Sequence, residues 1–296
     1  MVLRPVRSHA ERRQQAVDHV PLFAITKLMG DGTGGLTDIN QAGMGNFGWV
    51  TAQNGKPTYY DVRLNQTEYD DIVGNQLYDA TVQAVVARDP KKGLLLPNGT
   101  VEIKAAWLEI VDKTLWPRYR MIQTIIQEPD PKNPKAPAQC RVANMGLVAI
   151  HMIHKTKLAQ QFAWTTFEHV DNQPTTGGDP AALLGKRFTC FNPVCDPTKD
   201  PYKCQINAAP CVDPNKPETC RPVSAPNQVE KIIPMPPTTA TLNADMQAKI
   251  KAANPNSVYQ YYQLVDTLWP SDNTTIPAAA YTPLYDGNPQ PPLVGS

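Results

Sequence analysis

Three of the five histidines fall between Gly146 and Asn172, in the segments GLVAIHMIHKT and FAWTTFEHVDN. With Glu168 and Asp171 they form the densest set of metal ligands and proton-transfer groups in the chain. Two or three such groups on rigid strands could hold a divalent metal or serve as an acid–base pair. The candidate ligands are His151, Glu168, His169 and Asp171. Lys104 and Lys155 could neutralise an anionic ligand. Trp107 and Trp164, with Trp116 and Trp269, could line a binding groove. The competing expectation is that Glu168, His169 and Asp171 hydrogen-bond within a sheet and its exit loop while the aromatic residues make core. No HExxH or GxSxG pattern occurs, so zincin and serine-hydrolase chemistry have no sequence support. The cofactor is therefore open, with a divalent metal as the candidate.

Positioning prunes this set. If Leu147–Lys155 is extended, His151 shares a face with Ala149 and Ile153, whereas His154 points the other way with Met152. On the second strand Glu168 lies with Trp164 and Thr166, and His169 with Phe167 and Asp171. A site on one face could use one histidine of the first strand and either Glu168 or His169 plus Asp171, never all of them.

The cysteines argue for location rather than chemistry. Five of the six lie in Cys190-x4-Cys195-x8-Cys204-x6-Cys211-x8-Cys220, with Cys140 the sixth. The residues between them, among them Asn192, Pro193, Pro197, Pro201, Pro210, Pro214 and Pro217, favour turns and bury little apolar surface. Crosslinks supply the missing order, so all six cysteines are expected in disulfides of open connectivity. There is no CxxC pair and no histidine in the cluster, which argues against a zinc site there. No cysteine is followed by histidine in a CxxCH pattern, which excludes covalent haem within this chain. Disulfides imply an extracytoplasmic, periplasmic or secreted setting. Met1–His19 is polar and Arg-rich rather than a secretory signal, so the export signal is expected to lie outside this chain.

A net charge of +1 provides no field for nucleic acid, and no apolar run is long enough to span a bilayer as a helix. Thirty prolines in 296 residues imply long irregular connections. The fold expected is mainly β with a few peripheral helices (α+β): an antiparallel sheet or sandwich core with a disulfide-rich irregular insertion. Its strands are Thr58–Leu64, Val101–Val111, Tyr119–Gln127, Arg141–Lys155 and Phe162–Asp171, which alternate or run apolar at strand length. Asn65 with Glu68 three residues on opens a helix in capping-box style. Asn243–Ala253 and Ser257–Trp269 read as two more helices. Gly30–Gly35 matches GxGxxG, but the glycine-broken stretch after it reads as a loop. One domain is expected: an irregular Gly-rich segment 1–57, a β-rich core with one helix 58–189, a disulfide-rich loop 190–225, and a helical segment with a Pro-rich tail 226–296. Asn65, Asn98 and Asn273 each open an N-x-Ser/Thr sequon.

VEIKAAW (Val101–Trp107), GLVAIHMIHKT with FAWTTFEHVDN (Gly146–Asn172) and SVYQYYQLVDTLWP (Ser257–Pro270) resemble, in the same order, a group of extracytoplasmic bacterial proteins labelled cytochrome c-like. Such proteins commonly carry a CxxCH-bearing tail, a motif this chain lacks. The resemblance implies a periplasmic or secreted setting near redox chemistry, with redox proteins or a small ligand as partners, and brings no catalytic residues with it. Three functions follow as expectations: a β-rich binding or accessory protein of redox systems, a metal- or haem-dependent enzyme using the 146–172 hairpin, or a structural surface-assembly protein.

Overall fold

The computed structural model describes residues 22–24, 50–89, 94–128, 139–157, 162–174, 183–184, 186–196, 198–200, 204–208, 224–231 and 233–268. The Gly30–Gly35 motif, Cys211, Cys220, Trp269, Asn273 and the Pro-rich tail lie outside them.

Seven strands share one sheet: β1 (Leu22–Ala24), β2 (Tyr59–Leu64), β3 (Val101–Glu109), β4 (Met121–Glu128), β5 (Gln139–Lys155), β6 (Phe162–His169) and β7 (Tyr262–Leu268). Their order is β3-β2-β1-β4-β5-β6-β7, and β3 also pairs with β5. That extra pairing brings the first five strands back on themselves, in the ring β1-β2-β3-β5-β4-β1. Every pairing is antiparallel except β1 with β4. The expected antiparallel sheet is present. It curls to enclose its core instead of stacking on a second sheet as a sandwich.

The long β5 makes this possible. Its first half pairs with β4, its second half pairs with β6 on the same edge, and β3 lies along the other edge. Inside the ring, Tyr59, Ala105, Trp107, Ile126, Ala143, Met145 and Leu147 form one buried cluster. On the outer face Ala106, Leu108, Ile110, Tyr119, Val148 and Cys190 form a second one. Neighbouring residues of β3 thus feed opposite clusters, as strand alternation requires.

Gly146 lies where β5 passes beneath Ile110 and Tyr119. A Cβ there would come within 2.7 Å of Ile110 Cγ1 and 3.1 Å of Tyr119 Cδ1. Gly146→Ala is expected to cost about 1–3 kcal/mol through overpacking, read as a lower urea midpoint at unchanged slope.

Helix α1 (Gln66–Gly74) begins where Asn65 Oδ1 accepts the Glu68 N–H, the cap read from the sequence. A separate helix α2 (Ala80–Arg88), capped by Asp79, follows where one helix had been expected. Helix α3 (Pro237–Ala253) starts six residues earlier than expected, with proline pre-set for its first turn. Asn243 of α3 bonds both the N–H and the C=O of Leu264, which shields the outer edge of β7.

The expected helix over Ser257–Trp269 is a correction. Val258–Tyr261 is a single 3-10 turn, and Tyr262–Leu268 is strand β7, paired with β6. The apolar residues at 258, 262, 265 and 268 fit a helical face, but Tyr262, Val265 and Thr267 favour a strand, and the open edge of β6 decides between them. The N-terminal segment is likewise not wholly irregular, since Leu22–Ala24 is β1.

Candidate functional site

The hairpin of β5 and β6 with its exit loop holds His151, Lys155, Trp164, Glu168, His169 and Asp171, whereas Lys104 and Trp107 lie on β3, and a bulge determines how they face. Trp107 pairs with Leu147 and Ala106 with Ala149, so Val148 has no partner on β3. The extra residue reverses the alternation along β5. Met145 and Leu147 point into the ring, whereas His151, only four residues on, sits on the outer face.

His151 is paired across the hairpin with Thr166, and Ala149 with Glu168, so His151 and Glu168 share that outer face. His169 lies on the opposite one, and the exposed His154 also faces away from His151. The candidate ligands therefore do not converge. Among the described residues no group of three or more His, Cys, Asp and Glu side chains is placed to hold a metal ion.

Each member has protein partners instead. Glu168 is buried; its Oε1 accepts from Gln263 Nε2 at 2.8 Å and pairs with the Lys231 ammonium, and its Oε2 accepts from Gln173 Nε2 at 2.8 Å. His169 is 1% exposed. Its Nε2–H donates to the Arg118 carbonyl at 2.9 Å, and its Nδ1 accepts the Asp171 N–H at 3.1 Å. Those two bonds fix a neutral ring with its proton on Nε2. Burial pulls its pKa down to about 4, against smaller opposing pulls from its bond to the Arg118 carbonyl and from Asp171. The ring stacks on Tyr119 at 3.9 Å and meets the Tyr262 ring edge-on at 5.1 Å. Asp171 forms a two-pronged ion pair with Arg118, at 2.7 and 2.8 Å, and the guanidinium lies over Tyr261 at 4.1 Å.

The same block also repairs the bulge. Asn172 Nδ2 donates to the Val148 carbonyl at 2.8 Å. Tyr262 Oη donates to the Leu147 carbonyl at 2.8 Å and accepts the Arg120 N–H at 3.0 Å. FEHVDN is in this structure a scaffold: it satisfies the backbone that the bulge leaves unpaired, and anchors Gln263 of β7 and Lys231 to β6.

His151 differs. It is half-buried, its Nδ1 lies 2.7 Å from Thr166 Oγ1, and its ring lies 5.6 Å from that of Trp164. Burial, reinforced by Lys104, holds its pKa below the ordinary histidine value. Lys104 pairs with His151 across the strands, so Lys104, His151 and the partly exposed Trp164 occupy one outer sheet face. The other two ligand-binding candidates are elsewhere. Trp107 is in the core of the ring, and Lys155 is buried with its ammonium on the Leu96 carbonyl.

The cysteines also divide. Cys195 and Cys204 form a disulfide with an S–S distance of 2.04 Å. Cys140 and Cys190 are free thiols, which corrects the expectation that all six pair. Cys190 fills a slot beside Leu108, Tyr119 and Val148 as a small apolar residue, and burial pushes its thiol up to about 11. Cys140 is exposed on β5 opposite Gln127.

Sequence reasoning missed Arg118, Lys231, Gln173 and Gln263. Arg118 sits 53 residues from its partner Asp171, and nothing local in the sequence marks so distant a pairing. No protein-family model matches the chain, and no curated protein or solved structure matches it significantly. No helix of the described residues is long and apolar enough to cross a membrane.

Proposed function

We propose that this protein is an extracytoplasmic, disulfide-stapled β-rich binding or accessory protein of redox systems, acting through non-covalent contacts. The observation that carries this reading is that Glu168, His169, Asp171 and Asn172 all have protein partners with directed geometry. A side chain locked in a stack, a two-pronged ion pair or a buried ammonium contact must break that contact before it can bind or transfer anything. Recognition falls to the outer face with Lys104, His151 and the partly exposed Trp164, where an aromatic surface adjoins a cation and an imidazole whose protonation burial disfavours. The Cys195–Cys204 bridge supports an oxidising compartment, and the resemblance of the FEHVDN block supports a redox setting.

Metal analysis with an ultraviolet–visible spectrum of the native protein tests the reading. The expected result is substoichiometric metal and no haem absorption band. One metal or haem per chain, lost on replacing His151 with alanine, contradicts it.

A further inference from the structure

Glu68 occupies the third position of α1, where a capping box would send its carboxylate back to the N–H of Asn65. Here that N–H donates to the Val101 carbonyl at 2.9 Å instead. The cap is half-formed: Asn65 receives the Glu68 N–H at 3.1 Å, and Glu68 has nothing to give in return. The residue is only 4% exposed, and its Oε2 is buried with no hydrogen-bond partner among the described residues.

The charges around it are unfavourable to an anion. Glu102 faces it from β3, and Asp71 from the next turn of α1. Lys155 at the end of β5 interacts with Asp71 but has its ammonium directed to the Leu96 carbonyl. An ionised Glu68 thus bears the large desolvation cost of a charge beside two like-charged neighbours, whereas the protonated acid has no charge to desolvate or repel.

We propose that Glu68 is a proton-operated latch that holds α1 against β3 when neutral and loosens that junction when it ionises. Burial first, then Glu102 and Asp71, push its carboxyl from the ordinary 4.5 up to about 7. Between those two values the folded chain keeps a proton that the unfolded chain has lost. The latch's contribution to stability is therefore full below the lower value, falls as pH rises toward 7, and is gone above it. An exported protein that meets a mildly acidic or a mildly alkaline medium would hold α1 tightly in the first and loosely in the second.

Amide hydrogen exchange of α1 in the full chain at about pH 5.5 and about pH 8.5, corrected for intrinsic exchange chemistry, tests this. Protection of α1 is expected to fall about tenfold or more across that range. In Glu68→Gln, which cannot ionise, the fall should vanish. A wild-type protein with constant protection, or an E68Q protein with the same fall, overturns the proposal. Should E68Q not fold, Glu102→Gln decides: with one repelling charge removed, Glu68 ionises more easily, so the latch predicts the same fall displaced to lower pH. A midpoint that stays or rises overturns the proposal.

Discussion

Lys231→Met is expected to destabilise the protein by about 3–5 kcal/mol, the usual cost of removing one partner from a buried ion pair. The Lys231 and Glu168 side chains are 12% and 9% exposed, so the carboxylate left behind could not recover its hydration. Gln173 and Gln263 would still donate to it, but two neutral amides do not replace an ammonium. Lys231 also lies on the segment that closes over β6, where its N–H donates to the Pro174 carbonyl. Losing the ion pair should therefore loosen 227–231 along with Glu168. Urea unfolding followed by circular dichroism measures the loss. The double variant Lys231→Met with Glu168→Gln should be less destabilised than the sum of the two single changes by about 2 kcal/mol, because it no longer buries an unpaired charge. Strict additivity would mean that the two side chains are not coupled.

His169→Ala is the second large effect, at about 3–5 kcal/mol. The change empties the space under Tyr119, and leaves the Arg118 carbonyl and the Asp171 N–H without their side-chain partner. The same residue makes stability depend on pH. Its pKa is pulled from 6.5 to about 4 by burial, so the unfolded chain takes up a proton in a range where the folded chain refuses it. His169 thus contributes fully above 6.5, and the contribution is lost as pH falls toward 4, by on the order of 3 kcal/mol in total. Glu68 acts in the opposite sense over the overlapping window from 4.5 to about 7, so the wild-type curve partly cancels. Difference curves separate the two. The gap between wild type and His169→Phe should narrow as pH falls from 6.5 to 4. A gap that stays constant would show that His169 does not resist protonation.

The strands of the sheet were legible because their apolar and β-branched residues alternate, and the predicted members correspond to β2 through β6 to within a few residues. The Asn65 cap was legible for a local reason as well, since its hydrogen bond spans three residues. The 257–269 segment was not, because helical and extended periods both fit it and only the free edge of β6, a tertiary fact, selects the strand. The alternation separated His151 from His154 and Glu168 from His169, but which of Glu168 and His169 shares a face with His151 depends on the register across the hairpin, and the structure selects Glu168. What no pattern announced is the bulge at Val148, which takes that outer face away from the interior to which Met145 and Leu147 point. Nor could composition separate a structural thiol such as Cys190 from a bridged one, because a buried cysteine and a half-cystine differ only in what lies opposite.

The central claim is that Cys195 and Cys204 staple their loop rather than serving as reactive or metal-binding thiols. Peptide mapping by mass spectrometry, on protein recovered from an oxidising compartment and alkylated while unfolded without reductant, tests it most directly. The account predicts a linked pair of peptides joining Cys195 to Cys204, with Cys140 and Cys190 alkylated. Recovery of Cys195 and Cys204 both alkylated before any reductant is added would contradict it.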